Sequence, residues 1–177
     1  DWSSDVCSSD LNTVTFQGAT MHLEGNLPAT GTKAPDFKLT ATDLSERTLD
    51  TYKEKILVLV CVPSLDTPVC DMEVRRFNKM AADLSKDVAI VAVSRDLPFA
   101  QGRWCGASNA SNVEAASDYR TGAFGKTYGI YITELDLLAR CIFVINRHGE
   151  LCYTQLVPEV ANEPDYDAVL AKIKELA

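Results

Sequence analysis

Six cysteines lie in this 177-residue chain, and Cys70 occupies a position that makes a thiol reactive. It follows a continuous apolar run, Lys55–Val62 (KILVLVCV), which is broken by Pro63. Thr67 reads as a helix N-cap and Pro68 as the first helical residue, where a missing amide proton costs nothing. Cys70, Val74, Phe77, Ala81 and Leu84 follow i, i+4, i+7, i+11 and i+14, one face of a helix, with Asp71, Glu73, Arg75 and Lys79 expected away from that stripe. Cys70 therefore falls in the first helical turn, where unpaired amide protons and the helix dipole favour an anion. Thiolate is the nucleophilic form of cysteine. The apolar stripe turns the sulfur toward the body of the protein, into a pocket. It can react there with something small, whereas a bulky partner must wait for the turn to unwind. A buried core cysteine is the competing reading. The spacing of Pro63, Thr67 and Cys70 (P-x-x-x-T-x-x-C), directly after a buried strand, favours the nucleophile.

Other chemistries find little support. No C-x-x-C occurs, so neither a dithiol reductase site nor a zinc ribbon is indicated. His22 and His148 lie in or beside expected hairpins without metal-ligand spacing, and His148 reads as a solvated turn residue. LDTPVC carries no phosphate-loop pattern, and the acidic residues form no obvious catalytic pair. Cys61, Cys141 and Cys152 fall inside apolar strands and read as small core residues. Cys61, nine positions before Cys70, is the one that competes as a second reacting thiol.

The elements that must position Cys70 alternate between strand and helix. A short hairpin is expected from Val14, turning at Gln17-Gly18. A breaker-rich linker, Pro28–Pro35, leads to a strand over Asp36–Ala41. Lys55–Val62 and Asp87–Ser94 have the β-branched character of central strands buried on both faces. Leu97–Cys105 reads as a short, weak helix interrupted by Gly102 and ended by Gly106, a segment that unwinds at modest cost. Asn112–Ser117 gives a further strand and Gly122–Tyr128 a short helix. Arg140–Asn146 and Glu150–Val157 form a hairpin with a glycine turn, and Pro164 opens a last helix. This order implies an α/β fold with a central mixed β-sheet.

At about 150 residues per domain, the length accommodates one domain, expected over 13–177. Residues 1–12 read as a non-native or disordered tail: Ser-Ser-Asp repeats at 3–5 and 8–10, with no cationic start leading into an apolar stretch as in a signal peptide. Cys7 is left out of the chemistry on that ground. The longest apolar run, Ile56–Pro63, is strand-sized and far short of a bilayer span. Net charge is −8 with no basic block, which disfavours nucleic acid and membrane surfaces as partners. Cysteine content is below that of a disulfide scaffold, and extra thiols suggest a reducing compartment.

PSLDTPVC (Pro63–Cys70) resembles the active-site motif of the peroxiredoxins. DLPFAQGRWCG (Asp96–Gly106) is similar to their thiol peroxidase branch, the atypical two-cysteine type. VTFQG near the start and QLVPEVANEPDYDAVL near the end extend the likeness from about Val14 to Ile173. The resemblance implies a thioredoxin fold whose central mixed β-sheet is flanked by helices, with an N-terminal β-hairpin. It makes Cys70 the peroxidatic cysteine, attacking the O–O bond and becoming a sulfenic acid. Thr67 would offer its hydroxyl to thiolate and peroxide, and Pro63 would shield the pocket. Arg140 alone reads as a solvated strand end; the resemblance assigns it to the thiolate and the attacked oxygen. Cys105 would be the resolving cysteine, closing an intramolecular disulfide after local unfolding of both segments. No metal or organic cofactor is implied. The expected partners are a peroxide substrate, a thioredoxin-like reductant and a second copy in a cytoplasmic homodimer. Two rivals use the same residues differently: a peroxide sensor relaying oxidation to a partner protein, and a non-catalytic module that keeps Cys70 for packing.

Overall fold

A computed structural model describes residues 12–177; residues 1–11, and with them Cys7, lie outside the described residues. Among the described residues, eleven strands and four α-helices follow one another. The main sheet has seven strands in the order β11-β10-β5-β6-β7-β3-β4. At its centre, β5 (Ile56–Cys61) runs parallel to β6 (Val88–Ser94), which runs parallel to β7 (Glu114–Ser117). β10 (Cys141–Ile145) is antiparallel to β5 and to β11 (Leu151–Leu156), and β3 (Lys38–Ala41) is antiparallel to β7 and β4 (Glu46–Thr48). The sheet is mixed, as the strand–helix alternation implies. α1 (Pro68–Ala81) and α4 (Tyr166–Leu176) complete the thioredoxin-type core β5–α1–β6 and β10–β11–α4.

Period-2 alternation divides the central strands between two cores. Ile56, Val58, Val60 and Val62 pack with Val74 and Phe77 of α1 and Val169 and Ile173 of α4. Leu57, Leu59 and Cys61 face the other way, with Phe124, Tyr128, Cys141 and Phe143. Phe77 is fully buried, and its transfer alone favours this arrangement by about 1.5–3 kcal/mol. The β1–β2 hairpin (Thr13–Phe16 and Ala19–Glu24) turns through Gln17 and Gly18, both at positive φ, as a two-residue turn of matching twist requires.

Several elements differ from the sequence reading. The hairpin is extended into a second, four-stranded sheet by β8 (Tyr131–Ile132) and β9 (Leu137–Leu138), two-residue strands too short to show alternation. α1 ends at Ala81, so Leu84 continues the apolar stripe from a turn instead of from the helix. α2 (Pro98–Ser108) runs unbroken through Gly102 and Gly106 and stops at Asn109, which takes the left-handed conformation. Each glycine weakens that helix by about 1 kcal/mol, a deficit offset by contacts its neighbours make. Gln101, buried, donates to the Ser94 hydroxyl at 3.0 Å and the Ala116 carbonyl at 2.9 Å.

Candidate active site

β5 ends at Cys61, and the six residues from Val62 to Thr67 carry the chain into α1. Asp96, just beyond β6, pins this connection: it accepts from the Ser64 hydroxyl at 2.7 Å, the Leu65 amide at 2.8 Å and the Ser94 hydroxyl at 2.7 Å. Pro63 is buried. Thr67 is the N-cap, with extended backbone, and its carbonyl accepts the first helical bond from the Asp71 amide at 2.9 Å. Its side chain makes no cap bond. The hydroxyl donates to the Ser64 carbonyl at 2.8 Å, so it is engaged with the connecting turn and not with Cys70.

Cys70 lies in the first turn of α1 and is fully buried. Arg140 meets it from across the sheet. The antiparallel register pairs Cys141 with Cys61, so Arg140, one residue earlier, emerges beside the end of β5 and the start of α1. Its side chain is 2% exposed, not the solvated strand end that its position suggests. All three guanidinium nitrogens are used: Nε donates to the Val160 carbonyl at 2.8 Å, Nη1 to Glu73 Oε1 at 2.7 Å and Nη2 to Cys70 Sγ at 3.3 Å. The clamp depends in turn on the N-terminal hairpin. Val160 donates its amide to the Thr15 carbonyl at 2.8 Å, and Glu159 accepts from the Gly18 amide at 2.9 Å, the Gln17 amide at 3.0 Å and the Thr15 hydroxyl at 3.0 Å. The amides of Ala161 and Gly18 hold the Glu159 carboxyl down at about 2.

Glu73 corrects the sequence reading most. Expected away from the apolar stripe, it is fully buried, one helical turn from Cys70, and paired with Arg140. Oε1 receives the guanidinium, whereas Oε2, also buried, has no hydrogen-bond partner. Burial pushes the carboxyl up to about 7, against the pull of Arg140. Burial also works against the Arg140 charge, but the neighbouring Glu73 and Cys70 outweigh it and hold its pKa above the ordinary value. The available signal was indirect: i+3 shares a helix face with i, and a buried arginine needs a counter-ion.

Cys105 is half-buried in α2, and burial pushes its thiol up. The preceding residue, Trp104, joins the two cysteine-bearing helices: its indole N–H donates to Asp71 Oδ1 at 2.7 Å, and Arg75, ion-paired with Asp71 at 2.9 Å, stands over its ring at 5.8 Å. The five cysteines among the described residues are all free. Cys61 and Cys141 are fully buried and directly opposed, and burial raises both thiols. They face the core on the side of the sheet opposite Cys70. Cys152, expected in the core, is half-buried on the edge strand β11. A cavity of 840 Å³ opens elsewhere, between β3, β4 and α3 (Ala123–Thr127), and has no cysteine in its lining.

The chain can therefore hold a sulfur anion against a buried cation at a helix start, closed to large molecules. Residues 29–170 match the Redoxin family. A thiol peroxidase of Bacillus subtilis is 43% identical over 163 residues, 92% of this chain and 97% of its own. One from Halalkalibacterium halodurans is 46% identical, covering 93% and 98%. Among solved structures, a peroxiredoxin-like protein from Aquifex aeolicus superposes with a TM-score of 0.88 at 40% identity, over 94% of this chain and 98% of that one. A thiol peroxidase from Chromobacterium violaceum shares the fold at a TM-score of 0.83 and 19% identity, covering 92% of this chain and 96% of that one. Matched over nearly its whole described length, the chain belongs to the Redoxin family, in the thiol peroxidase branch of the peroxiredoxins.

Proposed function

We propose that this protein is a thioredoxin-dependent peroxidase that reduces hydrogen peroxide and organic hydroperoxides through Cys70. The observation that carries the reading is the 3.3 Å contact between Arg140 Nη2 and Cys70 Sγ in a fully buried first helical turn. A guanidinium there favours the thiolate and then stabilises charge as it develops on the peroxide oxygens. Cys70 as thiolate attacks one peroxide oxygen; the S–O bond forms, the O–O bond breaks, and the departing alkoxide takes a proton to leave as an alcohol, or water. Thr67 exchanges its bond to the Ser64 carbonyl for one to the incoming peroxide, and Pro63 keeps bulk water from the sulfur. The Cys105 thiol then displaces hydroxide from the Cys70 sulfenic acid, releasing water and leaving a disulfide. Both segments must open for this step, because Cys70 is closed inside α1. A thioredoxin-like dithiol returns two electrons and restores both thiols. A homodimer in a reducing, cytoplasmic compartment belongs to the same proposal and is supported by the sequence resemblance.

Mass mapping of disulfides after one equivalent of peroxide tests the cycle. A Cys70–Cys105 bond is the expected product. Cys70→Ser abolishes peroxide consumption, while Cys105→Ala forms the sulfenic acid normally but stops thioredoxin-linked turnover. Full steady-state turnover in Cys105→Ala would move the resolving role to another thiol, and undiminished peroxide consumption in Cys70→Ser would remove the reading altogether.

A further inference from the structure

Arg140 has two claimants. The Cys70 sulfur and the Glu73 carboxylate both draw on one buried guanidinium, at 3.3 Å and 2.7 Å. Neither claimant has access to water, so the charge given to one is withheld from the other, and two anions on one cation leave a net buried negative charge. Glu73 Oε2 has no hydrogen-bond partner, so little besides Arg140 compensates an ionised Glu73.

We propose that Glu73 is a positioning residue that acts through Arg140 to divide the guanidinium charge: protonated, it leaves the charge to the Cys70 sulfur, and ionised, it takes a share away. The inference deepens the reading of Cys70 as the attacking thiol and rests on it. Because both groups draw on one guanidinium, the proton on Glu73 and the charge on the sulfur are linked. Burial, which holds the Glu73 carboxyl up at about 7, places the exchange near neutrality. The other groups facing Glu73 cannot replace its role. Glu163, ahead of α4, is a further negative charge that raises Glu73, and Tyr166, on α4, has its hydroxyl committed to Glu163 at 2.7 Å. Cys61 and Cys141, on β5 and β10, have buried thiols whose ionisation burial opposes. Arg140 is the cation paired with Glu73.

Glu73→Gln retains the size of the side chain and an acceptor for Arg140 but cannot ionise. The Cys70 titration is followed in the folded protein by thiolate ultraviolet absorbance, as the difference between each protein and its Cys70→Ser counterpart. Expected in the unsubstituted protein are two coupled steps, one of them near neutral pH. Glu73→Gln should show a single step, complete about one pH unit lower, the size of a like-charge effect on a shared site. Between the two midpoints its single-turnover rate with hydrogen peroxide should be about threefold higher. Glu73→Asp, which restores the charge, should restore the second step. Superimposable titrations of the unsubstituted protein and Glu73→Gln overturn the proposal. Should the glutamine variant fail to fold, infrared difference spectra of the unsubstituted protein decide: one buried carboxylic acid must lose its proton near pH 7, and its absence overturns the proposal equally. The absorbance titration does not depend on peroxide chemistry. Coupled steps without peroxide consumption would sink the peroxidase reading alone, and peroxide consumption with a single step would sink this inference alone.

Discussion

Trp104→Phe tests how the proposed cycle opens. The substitution keeps an aromatic ring against the core but removes the N–H that reaches Asp71 at 2.7 Å, a direct bond between α1 and α2. A hydrogen bond to a charged group contributes about 1.5–3 kcal/mol when buried. The Asp71 side chain is 35% exposed, so water partly replaces the lost donor, and about 1 kcal/mol is the appropriate figure. α2 carries two glycines and is eleven residues long, too short to persist without tertiary contacts. A loss of about 1 kcal/mol should therefore raise the open fraction of α2 about fivefold. The assay follows disulfide closure after a single equivalent of peroxide, by acid quench and mass spectrometry, alongside hydrogen exchange of the amides from Gln101 to Gly106. Sulfenic acid formation should be unchanged, while closure and amide exchange both accelerate about fivefold. Faster exchange with unchanged closure would show that opening of α2 does not govern resolution. Unchanged exchange would show that the indole bond does not hold the helix.

Two further expectations concern the clamp. Arg140→Met should slow sulfenic acid formation about 100-fold, the usual loss when a preorganised donor at a reacting oxygen is removed. It should also lower stability by about 1–2 kcal/mol at pH 8, measured by urea unfolding, because Glu73 loses its counter-ion and must take up a proton to stay buried. The pH dependence has a definite sign. A carboxyl that titrates near 7 when folded and near 4.5 when unfolded keeps its proton longer in the folded chain, so its contribution to stability falls as pH rises from 4.5 to 7 and then levels off. Without Arg140 the folded value rises further, so the variant's deficit should be smaller at pH 5.5 than at pH 8; an equal deficit contradicts the pairing. Glu159→Gln should loosen the loop whose Val160 carbonyl holds Arg140 Nε, seen as faster exchange at Gln17 and Gly18 and a few-fold slower sulfenic step. Since the folded Glu159 carboxyl is held near 2, its contribution is complete above pH 4.5 and should fade as pH falls through 2.

The frame of the site was legible because its signals are local and repeated. β5 announced itself as an unbroken aliphatic run, and α1 by a threonine-proline start followed by apolar residues at helical spacing. Cys70 and Arg140 could be named from motif and resemblance. What escaped the sequence depends on partners far along the chain. Glu73 looks like a solvated helix residue until Arg140, 67 positions away, is folded against it. Gly102 and Gly106 look like breaks because the bonds that keep α2 straight come from β6, β7 and α1. The Thr67 hydroxyl turns to Ser64 because the tight connection brings that carbonyl within 2.8 Å. β4, β8 and β9 have two or three residues each, too few to display a period.

The alternation of side chains along β5 and β10 leaves Cys61 and Cys141 beneath one surface of the sheet and Cys70 beneath the other. Sulfurs exchange electrons only when they touch, so a layer of close-packed aliphatic groups acts as insulation. In the proposed cycle, oxidising equivalents captured at Cys70 are thereby confined to the compartment that α2 adjoins, and thiols only a strand's width away can be present without draining the circuit.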